Sequence, residues 1–202
     1  MIKKLAKHIT TNFINNNIFD ESEYDIYEYC FEATIVSGAS YIILLVLSII
    51  FNEFICSIIF LFSFSLFRKI CGGYHANSYS KCGIMSLGSY LLLIFLIKTI
   101  PFIFNISSIL LIIGALIIIL LSPIEDKNKP FTKRQFKLFK TISNGFASLF
   151  IIIFVILDLY GFHNNLINKY YFSCCYGIDL VALALLMSKI ERRLHNAKKE
   201  YR

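Results

Sequence analysis

Apolar residues fill six runs, at about 31–51, 54–67, 84–100, 102–121, 142–162 and 169–190, and the connections between them alternate short and long. An apolar run of roughly 18 residues or more can cross the hydrocarbon of a bilayer, and a soluble domain of this size has too little interior to hide six of them. With 57% of its residues hydrophobic and 20 phenylalanines, the chain is expected to be an all-α polytopic membrane protein. It should form a single membrane domain over 1–202, with six transmembrane helices.

The connections set the expected orientation. Asn52-Glu53, Lys98 with Pro101, and Gly161 to Asn168 make three short hairpins, whereas 68–83 and 122–141 are longer and basic. With both chain ends and both long connections on one side, only Lys98 and Lys169 of the 20 lysines and arginines fall opposite. The excess of positive charge marks that side as cytoplasmic, so the expected location is a cell membrane with both termini and the 68–83 connection inside. The same pattern explains the net charge of +7 as topogenic, and no nucleic-acid partner is expected. Lys3, Lys4 and Lys7 precede a polar, acidic stretch where a signal peptide would need its apolar core, so no cleavable signal is expected.

Ile2, Leu5, Ile9 and Phe13 share one helical face, which predicts an N-terminal interfacial amphipathic helix over 2–14, ended by Asn15-Asn16-Asn17. The acidic run from Asp20 to Glu28 reads as a solvated face leading into the first span. Residues 131–140 interleave phenylalanines with Lys133, Arg134, Lys137 and Lys140, as a basic interfacial helix on anionic membrane lipids does. Asp179 stands in the middle of the last run, where a carboxylate is costly unless paired. It is expected to hold spans together, protonated or bonded within its helix; the alternative is a polar cavity or a partner such as Lys98 or Tyr171. The second run is short, since 14 residues of helix reach about 21 Å against a hydrocarbon core of roughly 30 Å. Either the bilayer thins there or the helix continues through Arg68.

The segment that follows, Arg68 to Cys82 (RKICGGYHANSYSKC), is the one polar, glycine-bearing stretch that places a histidine and a cysteine together between apolar runs. A thiolate is the reactive form of cysteine, and imidazole is the side chain best matched to take its proton near neutral pH, so His75 and Cys82 are candidate base and nucleophile. On an unbroken helix a seven-residue separation leaves the two side chains about 10 Å apart along the axis, too far for a transfer that needs roughly 3 Å. The helix must therefore break between them, with Asn77 or Ser78 as N-cap of the next helix and Gly72-Gly73 supplying a bend. The backbone N–H groups of Gly72, Gly73 and Cys82 and the guanidinium of Arg68 are candidate oxyanion donors, and Arg68 reads equally as a snorkelling anchor. Cys71 adds a second thiol that would compete as nucleophile. Cys71, His75 and Cys82 also make three potential zinc ligands, but without an evident fourth, so neither a metal nor a cofactor is expected. A reading from another class, a small membrane exporter of a peptide, would make Asp179 the marker of its pathway.

Arg68, Gly72-Gly73-Tyr74-His75-Ala76 and Cys82, in a six-run chain of this length, resemble the accessory gene regulator B (AgrB) family, membrane cysteine endopeptidases of Gram-positive quorum sensing. Pro123 with Glu125, then Asn128-Lys129-Pro130, resembles that family's proline-flanked connection between its fourth and fifth spans. The resemblance implies that His75 and Cys82 cleave the C-terminal tail from an AgrD-like precursor peptide. The upstream part would stay on the cysteine as a thioester, which the precursor's own thiol attacks to close a thiolactone. It also implies an acidic precursor tail, for which Lys129, Lys133, Arg134 and Lys137 are candidate binders, and a homodimer.

Overall fold

The computed structural model describes residues 2–16, 18–73, 79–99, 103–125, 131–160 and 165–200, with side-chain placements for all of these but 79–82, 103–106, 158, 165 and 195–200. Among the described residues, regular structure is helical apart from one isolated backbone bridge. The helices are α1 (Ile2–Asn15), α2 (Tyr24–Ile50), α3 (Phe54–Cys71), α4 (Tyr79–Thr99), α5 (Ile103–Leu121), α6 (Lys133–Leu159) and α7 (Asn165–Glu200). A single 3-10 turn, Glu21–Glu23, precedes α2. Among the described residues, four stretches are long and apolar enough to cross a membrane: Glu21–Ile50, Phe54–Cys71, Lys133–Leu157 and Leu166–Leu194. The apolar parts of α4 and α5, Gly83–Thr99 and Ser107–Leu121, are shorter among the described residues.

Three helix boundaries differ from those read in the sequence or choose between its alternatives. Helix α2 begins at Tyr24, so Asp25 and Glu28 lie on the helix rather than ahead of it. Helix α3 does not stop at Phe67 but runs through Arg68 to Cys71, which lengthens the short second run as the second alternative required. The basic stretch 133–140 is not a separate interfacial helix: it is the beginning of α6, continuous with the apolar run that follows. Thr132 and Gln135 explain that start. The Gln135 N–H donates to Thr132 Oγ1 at 3.2 Å and the Thr132 N–H to Gln135 Oε1 at 3.0 Å, a reciprocal cap that satisfies two donors at a helix start.

The chain divides into two compact units. The first comprises 1–52 with 76–91. In it α1 packs on α2, with Ala6 and Thr10 fully buried while Ile2 and Leu5 remain uncovered. Rings clamp the connection: Phe13 stacks on Phe19 at 5.2 Å and on Phe31 at 5.6 Å, and Phe19 on Tyr27 at 4.1 Å. Asp20 caps the 3-10 turn by accepting the Ser22 N–H at 2.9 Å, which holds its carboxyl below the ordinary range.

The second unit comprises 53–75 with 92–202 and is built around α7, which packs along both α3 and α5, with α6 against α5 and α3. Its core joins Phe67 of α3, Leu111 and Ile118 of α5, Phe154 of α6, and Ile178 and Leu185 of α7. Close approach depends on small residues. A Cβ at Gly177 would meet Ser63 Oγ, the Phe64 N at 3.0 Å and the Phe60 carbonyl oxygen at 3.1 Å, so α3 and α7 touch backbone to backbone. At Gly114 of α5 the same space is taken by the Asp179 carboxyl. Asp179 Oδ1 is buried with no hydrogen-bond partner among the described residues, and Tyr171 pairs instead with Ser108, at 2.9 Å. At the end of the unit where α3 begins, Lys169 Nζ meets Glu53 Oε1 at 2.8 Å, which neutralises one of the two cations that the charge pattern placed on the minority side.

Candidate active site

Helix α3 delivers Arg68 to its last turn, where a cation is favoured by the partial negative charge of the terminal carbonyls. Arg68 Nη1 donates to the Gly72 carbonyl at 2.7 Å, and the Gly72 N–H donates back to the Arg68 carbonyl at 3.1 Å. The chain then turns through two glycines with positive φ, +70° at Gly72 and +109° at Gly73, as the sequence requires of a bend at this point. The Gly72 N–H is therefore occupied in this conformation, as is one N–H of Arg68. Gly73 is buried against Ala184 of α7.

Tyr74 to Ser78 lie outside the described residues, and with them His75 and the expected N-caps Asn77 and Ser78. Helix α4 begins at Tyr79, so the backbone of Cys82 lies in its first turn. A helix start presents N–H groups without partners inside the helix, and with the helix dipole these favour negative charge. A mostly apolar cavity of about 230 Å³, lined in part by Gly83, Ser86 and, from α2, Ser40 and Leu44, opens one residue past Cys82 within the first unit. Cys71 has no exposed surface and sits in the core of the second unit, which leaves its sulfur no route to a substrate.

Lys133, Arg134 and Lys137 are exposed on the first turns of α6, and Lys129 lies outside the described residues. Residues that the sequence did not single out complete the surroundings of the motif. The Ile124 N–H donates to the Cys71 carbonyl at 2.9 Å, Ala184 backs Gly73, and Arg192 of α7 donates to the Glu125 carbonyl. Pro123 and Glu125 had drawn attention only as a pattern. No spacing rule pairs them with a segment some fifty residues earlier.

The sequence profile of the family described as Accessory gene regulator B matches residues 2–187. The chain belongs to that family. Two proteins of Clostridium perfringens whose names call them AgrB-like are similar to this AgrB-family chain along most of its length. The one from strain 13 is 28% identical over 173 residues, covering 82% of this chain and 80% of its own. The one from strain SM101 is 28% identical over 195 residues, covering 92% and 91%. No solved structure gives a significant match. Family membership and the long apolar helices together make this AgrB-family protein a membrane component of the accessory gene regulator system.

Proposed function

We propose that this AgrB-family protein is a membrane cysteine endopeptidase that removes the C-terminal tail of a quorum-sensing precursor peptide, with Cys82 as nucleophile and His75 as base. The observation that carries the reading is the backbone arrangement of the motif. Helix α3 ends at Cys71 and a new helix begins at Tyr79, so Cys82 sits in the first turn of α4 with the motif's histidine on the connection before it. In the proposed sequence His75 takes the thiol proton and Cys82 Sγ attacks the carbonyl carbon of the scissile amide. The proton passes to the leaving nitrogen, the C–N bond breaks and the tail departs, leaving a thioester. The precursor's own thiol gives its proton to His75 and attacks the thioester carbonyl. A thiolactone forms and the Cys82 thiolate is released. One thioester replaces another, so this second step is close to balanced in energy, and exclusion of water favours it over hydrolysis.

In this reading α4 and α5 cross the membrane with the four longer spans, and both termini and the motif face the cytoplasm. The exposed cations at the start of α6, Lys133, Arg134 and Lys137, together with Lys129, hold an acidic tail of the precursor beside the membrane lipids. The test is tail release in membranes from a synthetic AgrD-like precursor, followed by mass spectrometry. Cys82→Ser and His75→Ala should each lower the rate by at least about a thousandfold at equal insertion, and hydroxylamine should trap the upstream fragment from the parent protein only. Tail release that survives Cys82→Ser removes the peptidase assignment and leaves the exporter reading.

A further inference from the structure

The stretch from Ser122 to Glu125 carries no reacting group of its own, yet it returns the chain after α5 to the end of α3. Ile124 and Gly72 form a parallel backbone bridge, closed by the Ile124 N–H donating to the Cys71 carbonyl at 2.9 Å. The contact admits only glycine. Any Cβ at Gly72 would run into the Ile124 carbonyl oxygen, and its φ of +70° disfavours other residues before that clash is counted. Both polar groups of the Gly72 backbone are held by Arg68, the carbonyl through the guanidinium and the N–H through the Arg68 carbonyl. On the other side a Cβ at Gly73 would come within 3.3 Å of the Ala184 backbone and 2.7 Å of Arg68 Nη1. The strap is itself tied at both ends: the Ser122 N–H donates to the Ile118 carbonyl at 2.9 Å, and the Glu125 carbonyl accepts from Arg192. A connection needed only to join two helices can leave its backbone groups to water. Here α3, α5 and α7 converge on Cys71 to Gly73.

We propose that the Ser122–Glu125 strap is a positioning element of the candidate active site: by clamping Cys71 to Gly73 it fixes the backbone from which the chain proceeds to His75. This rests on the peptidase reading above and adds to it residues that touch no substrate. His75 follows Gly73 by two residues, a tether of at most about 7 Å, so a displacement at Gly73 shifts the range open to the imidazole. A proton transfer that needs about 3 Å is sensitive to that displacement, and a misplacement of roughly 1 Å can cost a hundredfold in rate. Arg68 takes a place in the clamp as well, as the group that closes the turn around Gly72.

The experiment compares the parent, Ile124→Pro, Ile124→Val and Gly72→Ala as full chains in membranes, at matched insertion. It reads kcat and KM for tail release, and the pH dependence of Cys82 alkylation located by peptide mapping. Ile124→Pro removes the bridging N–H, and Gly72→Ala drives a methyl into the Ile124 carbonyl. Each should lower kcat by about 10- to 100-fold with KM within about threefold, and each should move Cys82 alkylation up towards the ordinary thiol range near pH 8.5 as the imidazole is displaced. Ile124→Val keeps the N–H and should restore both readouts. A variant that merely loosened the fold would lower the amount of active protein and leave the alkylation profile of the remainder in place, which overturns the positioning role. So does an unchanged profile and kcat in Gly72→Ala, the deciding variant should Ile124→Pro fail to insert. Failure of the peptidase reading looks different: the parent itself alkylates as an ordinary thiol and Cys82→Ser keeps tail release, and the strap's role falls with it.

Discussion

The contact at Gly177 sets the spacing of α3 and α7, and with it the place where α3 ends. In Gly177→Ala the new methyl would displace Ser63 Oγ and, beyond that side chain, meet two further atoms, the Phe64 N at 3.0 Å and the Phe60 carbonyl oxygen at 3.1 Å, where ordinary Cβ contacts begin near 3.4 Å. Both atoms belong to a helix backbone, so no rotamer change relieves the contact and the two helices must part by a few tenths of an ångström. Overpacking of this kind costs about 1–3 kcal/mol, against a gain of up to ~1 kcal/mol for replacing glycine by alanine within a helix. The steric cost wins, for a net loss of about 1 kcal/mol, roughly fivefold in the folded population. Gly145 of α6 is the matched control, since a Cβ there has nothing within 4 Å and only the helix gain remains. The assay is the midpoint of unfolding in a detergent–denaturant titration of the purified chains. Gly177→Ala should fall below the parent and Gly145→Ala should lie level with it or above. The consequence at the site follows from register: Ala184 lies two turns along α7 from Gly177 and packs on Gly73, so parting the helices loosens that contact and tail release should fall as well. Equal midpoint shifts for the two alanines would show that α3 and α7 are not held at backbone contact, and the reasoning would fail.

Three further outcomes test the frame around the site. Lys169→Met should cost about 1–3 kcal/mol in the same titration, because Glu53 has only 12% of its side chain exposed and would be left without the Lys169 ammonium. The exchange Glu53→Lys with Lys169→Glu should recover part of the loss, and a double-mutant cycle with no coupling counts against the pair. Thr132→Ala and Gln135→Ala each remove half of the reciprocal cap on α6 and should cost about 1 kcal/mol, read as faster amide exchange over 133–137 with the apolar part of α6 unchanged. Asp179→Asn should hold stability within about 1 kcal/mol of the parent, since Asp179 Oδ1 has no partner to lose among the described residues. A loss well beyond that would point to a partnered carboxylate and away from packing against Gly114 as its role.

Legibility in the sequence followed the range of the interactions concerned. Hydropathy marked all six apolar helices, because each reports its own average surroundings. The α1 pattern was readable because Ile2, Leu5 and Ile9 repeat within one helix. Boundaries decided by charge were harder. The basic residues 133–140 read as a separate element because cations are costly in a span, yet the Thr132–Gln135 cap, whose threonine-to-glutamine spacing was visible, starts one helix that carries them. The glycine bend before His75 was anticipated from residue type, whereas the occupied Gly72 N–H was not, since a hydrogen bond to the preceding turn depends on how the helix ends.

By itself the sequence determined that this is a helical membrane protein of the AgrB family with one polar stretch carrying a histidine and a cysteine between apolar runs, because composition, periodicity and residue type are local quantities. Tertiary structure decided that α7 is the central helix of its unit, that Lys169 is paired with Glu53, and that Ile124 clamps the glycines ahead of His75. The last two depend on backbone atoms or charges far apart in the chain being brought within 3 Å. Such contacts arise only when several helices pack at once, and no single stretch of residues encodes them.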